Sequence, residues 1–146
     1  MRLLCRGNDG GLVDKDKINA VKDKMCDKKK NTRETGTYYE RIAIDYLERQ
    51  GYRSLQQNYR CALGEIDIIA RHGVYLVFIE VKYRKNAGFG GSWAAVDHRK
   101  QRKISRVAGW YMTEHRISDN VPCRFDVVGI DPDGIRICQN AFDYVG

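Results

Sequence analysis

The sequence predicts a single α/β domain, a mixed sheet with helices packed on it. Three observations lead there. The length of 146 residues suits one domain. A hydrophobic content of 42% is enough for one real core. Apolar patterns of helical and strand period follow one another in the order helix, three strands, helix, two strands. No internal repeat interrupts that order.

Each element has its own signal. Tyr39, Ile42, Ala43, Tyr46 and Leu47 form one apolar stripe, which predicts a helix over Thr35–Gln50 with Gly51 as its stop. Tyr52–Cys61 is a polar strand and is therefore placed at an edge. Two strong strands follow, Gly64–Arg71 and Val74–Tyr83, joined by a hairpin turn at His72-Gly73. Lys85–Ser92 carries three glycines and reads as a loop. A second helix runs from about Trp93 to His115. The last strands, Cys123–Ile130 and Ile135–Cys138, flank the turn Asp131-Pro132-Asp133-Gly134.

The start of the chain differs from the rest. Met1–Glu34 holds ten Lys and Arg against six Asp and Glu, a net +4, with few apolar residues. Ile18, Val21 and Met25 allow a short amphipathic helix, followed by Lys28, Lys29 and Lys30. Residues 1–32 are read as a basic, mobile N-terminal extension and residues 33–146 as the folded domain. A nucleic-acid-binding arm is the alternative role for the extension.

The whole chain is basic, with net charge +7 and pI near 9.2, which favours acidic partners, mainly nucleic acid or an anionic membrane surface. No stretch approaches the roughly 20 apolar residues of a membrane helix, and the apolar run at the start is too short for a signal peptide. The five cysteines include no Cys-x-x-Cys pair, so a zinc ribbon or redox motif is unsupported. They read as reduced thiols of a cytoplasmic protein.

The chemistry concentrates on the two strong strands. Val74–Lys82 is a mostly apolar strand ending in Glu80 and Lys82, which point to the same side because side chains alternate. The preceding strand buries Asp67 among isoleucines. With His72-Gly73 as the turn, Arg71 faces Val74 and Asp67 faces Phe78. Asp67 is then diagonal to Glu80, roughly 7–8 Å away. A slip of two residues would keep all three on one side. Two carboxylates so placed can share a hard cation such as Mg²⁺ or Mn²⁺, which activates water and offsets phosphate charge. Lys82 can orient or deprotonate the water. Glu40, at the border of the first helix's buried stripe, can complete the cluster.

Gly36…Glu40, Asn58-Tyr59-Arg60-Cys61…Gly64-Glu65-Ile66-Asp67, Phe78-Ile79-Glu80-Val81-Lys82-Tyr83-Arg84, Phe89-Gly90 and Ala95-Val96-Asp97…Lys100-Gln101 closely resemble the YraN-like family of small bacterial proteins. The resemblance runs from about Arg33 to the end. That family is similar to archaeal Holliday-junction resolvases and the wider restriction-endonuclease-like class. The resemblance implies a restriction-endonuclease-like mixed central sheet flanked by helices. In that class an Asp, a Glu-x-Lys and often a helix Glu hold the metal, here Asp67, Glu80, Lys82 and Glu40. Ser92 stands where the family usually has proline and Ala94 where it usually has glutamate, which bears on the loop and leaves the ligands alone.

Each assignment has a competitor. Thr37-x-x-Glu40 fits a capping box. Glu80 and Lys82 could be a solvated ion pair. Asp67 is harder to explain away, since an acid between isoleucines needs a partner. Glu65 is read as peripheral, Asp97 as a cap for the second helix, and Asp126 as facing solvent on an outer strand. On the second helix Arg99, Arg102, Lys103 and Arg106 share a face and, with Arg84, form the candidate nucleic-acid-binding set; an ordinary solvated face is the alternative. Phe89 and Trp93 could stack on bases, though Trp93 is placed in the core, and Gln101 could orient a water or phosphate. The first functional expectation is a metal-dependent nuclease acting on branched or structured DNA, as a homodimer if it cuts two strands symmetrically. The others are a non-catalytic nucleic-acid-binding module and a scaffold protein.

Overall fold

The structure, a computed structural model, describes residues 32–85 and 94–146. Expectations for the N-terminal extension, and for Phe89 and Trp93, lie outside those residues. Helix α1 spans Thr32–Arg49 and is followed by β1 (Arg53–Cys61), β2 (Gly64–His72) and β3 (Tyr75–Tyr83). Helix α2 (His98–Glu114), β4 (Cys123–Asp131) and β5 (Gly134–Phe142) complete the chain. The five strands form one sheet in sequential order. All neighbours are antiparallel except β3 and β4, whose parallel pairing is connected through α2. The mixed α/β expectation holds, with the polar β1 at an edge.

Alternation along the strands divides the core into two layers. Leu76 and Phe78 of β3, with Phe125 and Val127 of β4, pack against Ile104, Val107, Ala108 and Tyr111 of α2. Val77 and Ile79, with Val128 and Ile130, pack against Tyr39, Ala43, Ile44 and Leu47 of α1. Successive residues of a strand face opposite ways, so the two helices cover opposite faces of the sheet. This explains why β3 reads as an unbroken apolar run. It is buried on both sides.

Several boundaries differ from expectation for identifiable reasons. Helix α1 starts at Thr32, so Thr37 lies inside the helix and is not its cap. Helix α2 starts at His98 because Asp97 caps it, accepting from the Lys100 amide at 2.9 Å. The β2–β3 turn is centred on Gly73-Val74, with His72 paired to Tyr75. Gly73 has φ 59° and takes the first central position, where a tight hairpin of the II′ kind wants glycine. Strand β5 runs past Cys138 to Phe142, whose ring stacks on Phe125 at 4.8 Å. An irregularity near Asn140, at φ 51°, accommodates the longer strand. Cys61 and Cys123 are free thiols, as the reduced-thiol reading expects of them. Among the described residues no helix is long and apolar enough to cross a membrane.

Gly64 locks α2 against the start of β2. Its φ is 146°, and a β-carbon there would lie 2.4 Å from Lys103 Cε and 3.3 Å from Val107 Cγ2. The lysine stem can move aside, but the buried Val107 cannot, and the backbone conformation itself disfavours a side chain. Gly64→Ala is expected to lower stability by about 2 kcal/mol, read as a reduced urea midpoint at unchanged m-value.

Candidate functional site

The turn at Gly73-Val74 sets the register of the site. The paired residues run from His72↔Tyr75 to Ile68↔Ile79. The pairing ends there, so Asp67 and Glu80 are the first residues past the paired stretch on their two strands, in a register two residues from the expected one. The Val81 amide, which points towards β2, donates to Asp67 Oδ2 at 2.8 Å. The Asp67 carboxylate therefore sits in the seam where β2 and β3 diverge.

Glu80 and Lys82 follow Phe78 on the side covered by α2, and α2 meets both. Lys100 Nζ pairs with Glu80 Oε1, whose side chain is only 10% exposed. Lys82 Nζ donates to the carbonyl of Ala95, just before α2 begins. Glu40 comes from α1. Its Oε2 accepts from Asn58 Nδ2 at 2.6 Å, so it serves as a tertiary partner and not as a helix cap. Stacking of Tyr39 on Tyr83 at 3.6 Å fixes this part of α1 to the end of β3. Glu40 and Asp67, with Gly36, Thr37, Asn58, Arg60 and Glu65, line an open pocket of about 440 Å³.

Electrostatics bind these groups into one cluster. Burial pushes the Asp67 carboxyl up to about 7; Glu80 and then Glu40 add to the rise, against the Val81 amide and Lys100. Lys82 is pushed below the ordinary lysine value, first by burial and then by Lys100 and Arg84, while Glu80 and Asp97 oppose the shift. The three acids nonetheless do not form a single ligand shell. Among the described residues no three His, Cys, Asp or Glu side chains are grouped to hold a metal ion. Asn58 holds Glu40 and Lys100 occupies Glu80, while Asp67 accepts from the Val81 amide next to Glu80.

Comparison with known proteins places the chain. It matches the profile of the uncharacterised protein family UPF0102 over residues 39–130. It is 46% identical over 114 residues to a UPF0102 protein of Legionella pneumophila strain Corby, covering 77% of this chain and 97% of that protein. A UPF0102 protein of Lachnoclostridium phytofermentans is 47% identical over 116 residues, or 80% of this chain and 98% of the relative. For one from Syntrophus aciditrophicus the identity is 48% over 113 residues, 75% and 88% of the two chains. The chain belongs to the UPF0102 family. This agrees with the YraN-like resemblance of the sequence, and every residue of the carboxylate cluster falls within the matched span of the UPF0102 profile.

The basic residues of this UPF0102 chain flank the cluster. Arg84 follows β3 and is close enough to Lys82 to depress its pKa. Arg99, Arg102, Lys103 and Arg106 are all exposed on α2. Gln101, offered as a water or phosphate ligand, instead donates to the Val96 carbonyl at 2.7 Å and braces the approach to α2. Sequence reasoning missed two residues. Asn58 and Lys100 stand within the family-like runs, but their roles depend on contacts that no local pattern encodes. It also misplaced Asp126, which is fully buried and not solvent-facing. Arg124 Nε reaches Asp126 Oδ1 at 2.8 Å, and the Tyr52 hydroxyl donates to Oδ2 at 2.8 Å.

Proposed function

We propose that this chain is a metal-dependent nuclease of restriction-endonuclease-like fold that works in the cytoplasm on DNA of branched or otherwise unusual shape. The observation that carries this reading is the nearness of Asp67 to Glu80 at the β2–β3 seam, where Asp67 accepts from the Val81 amide and is held at a raised pKa by burial and by two neighbouring acids. A buried excess of carboxylate charge beside a lysine suits a cation and a phosphate. Mg²⁺ commonly takes only one or two protein carboxylates and completes its shell with water and substrate phosphate. Two neighbouring acids therefore fit it without a third preformed ligand. Asp67 and Glu80 would hold the ion, with Glu40 reached through the pocket. Bound there, Mg²⁺ or Mn²⁺ would supply water activation and charge compensation on the phosphate.

The chain's own groups do the rest. Lys82 is held by the Ala95 carbonyl and its pKa is lowered, so more of it is in the neutral amine form than of a free lysine, and that form can take a proton from an attacking water. Lys100, once released from Glu80, presents an ammonium to the phosphate. Arg84, Arg99, Arg102, Lys103 and Arg106 supply long-range attraction for the polyanion. A two-fold dimer would allow symmetric cutting of two strands.

The Lys100–Glu80 ion pair favours a second reading, a nucleic-acid-binding module in which an ammonium permanently replaces the metal. A cleavage screen on branched, flap, single-stranded and duplex DNA, with and without Mg²⁺ or Mn²⁺, separates the two. The nuclease reading expects product that requires the ion and disappears with EDTA. Binding without cleavage on every substrate and with either ion selects the second reading.

A further inference from the structure

The outward face of α2 carries more than charge. Arg99, Lys103, Arg106 and Trp110 recur at steps of four, three and four, one line along a helix of 3.6 residues per turn. The apolar needs of α2 are already met on its other side by Ile104, Val107, Ala108 and Tyr111. Trp110 is nonetheless 50% exposed. A second exposed aromatic lies over the preceding residue of the helix. The buried Ser105 hydroxyl accepts from the Val145 amide at 3.0 Å, tying the C-terminal segment to α2. This brings Tyr144, itself 62% exposed, over Gly109, where its hydroxyl would lie 3.7 Å from a β-carbon.

Helix α2 thus presents an ordered series. Lys100 is on the carboxylate cluster, the arginines and Lys103 follow, and Trp110 with Tyr144 ends the line. Ten residues separate Lys100 from Trp110, or about 15 Å along the axis. The cations match a phosphate backbone. The rings add something a duplex cannot use, because paired bases are already stacked on one another. An unpaired base offers its face to any exposed aromatic ring. A second copy of this chain is a poor occupant, since a two-fold contact through this face would set the same cations against each other.

We propose that Trp110, aided by Tyr144, is a stacking platform for unpaired bases, so that the DNA engaged by this protein carries a single-stranded segment running along α2 from the carboxylate cluster. This rests on the nucleic-acid reading above and narrows its substrate class to DNA with unpaired nucleotides.

The test needs neither metal nor cleavage. The chain has two tryptophans, so Trp93→Phe leaves Trp110 as the sole indole reporter. The full-length variant is titrated in EDTA with a short oligothymidylate and with a duplex of equal length. Trp110 emission should be quenched by the single strand and little changed by the duplex. In the otherwise wild-type chain, Trp110→Ala should weaken single-strand binding by about tenfold to a hundredfold, leave duplex binding within a factor of about two, and keep the parent Tm. Trp110→Phe should recover most of the loss. If both DNAs bind without quenching, or Trp110→Ala weakens both equally, the platform is wrong while the nucleic-acid reading stands. If neither DNA binds, both fall.

Discussion

Asp67→Asn is expected to abolish metal-dependent cleavage by orders of magnitude while stabilising the protein in the absence of metal. The two effects share one cause. In the folded chain burial, Glu80 and Glu40 hold the Asp67 carboxyl up to about 7, against an ordinary value of 3.8. A carboxyl raised on folding stays protonated in the native state at pH values where the unfolded chain has already lost the proton. Its contribution is fully present below about pH 4 and is lost as pH rises towards 7, with a slope approaching about 1.4 kcal/mol per pH unit. The amide keeps the shape and cannot ionise, so the variant should lose this slope and melt higher near pH 8. Divalent ions should act in the opposite direction on the parent. A cation replaces the proton, so stabilisation by Mg²⁺ or Mn²⁺ should be larger at pH 8 than at pH 6. At a hundred times its Kd it amounts to about 2.7 kcal/mol. Thermal melts of parent and Asp67→Asn, with and without ion at the two pH values, read all of this. An equal metal-induced shift in both proteins would remove Asp67 from the ligand set. Lys100→Ala should enlarge the metal shift in the parent background, because Glu80 no longer has a competing ammonium.

How far the sequence could be read follows from the range of the interactions involved. Elements with a clean period were legible, since the stripe through Tyr39, Ala43 and Leu47 and the run Leu76–Ile79 record burial directly. The nearness of Asp67 to Glu80 was legible for a related reason: a shift of two residues in the hairpin preserves the face. The two-residue change in register came from one glycine taking the first turn position in place of the second. Glu40 was ambiguous because a capping box and a tertiary acid have the same local spelling; only the earlier start of α1 and the contact with Asn58 resolve it. Lys100 could not be read, since its partner lies across a connection from β3 to α2. Asp126 was misread because an acid flanked by Phe125 and Val127 looks like an outward position on an edge strand. Strand β4 is in fact internal, paired with β3 and β5, and its polar residue is answered, directly or through Arg124 and Tyr52, from three other segments.

That buried network gives the second large expectation. Arg124→Met should cost about 3–5 kcal/mol, because it leaves a fully buried carboxylate without its cation. Arg124 meets Asp126 through two nitrogens, at 2.8 and 2.9 Å, and also reaches the Tyr52 hydroxyl and His72 Nδ1, both at 2.9 Å. The Asn140 amide and Tyr52 hydroxyl still donate to Asp126 in the variant, so the side chain keeps hydrogen bonds but not charge compensation. Replacing both members, as Arg124→Met with Asp126→Leu, removes the uncompensated charge and should recover a large part of the loss, although Tyr52 and Gln139 are then left to pair with each other. The coupling between the two sites, measured by urea denaturation of the four proteins, should exceed about 1 kcal/mol. Additive losses would mean that the ion pair contributes nothing beyond its separate side chains. The network reaches the hairpin end of β2 through His72, but Asp126 itself pairs with Ile79, next to Glu80; its carboxylate is already taken up by Arg124, Tyr52 and the Asn140 amide. Asp126→Asn should therefore lower stability while leaving the metal-induced shift in Tm as large as in the parent. This sets Asp126 apart from the acids at the β2–β3 seam, as a charge already compensated within a buried network of Arg124, Tyr52 and β5.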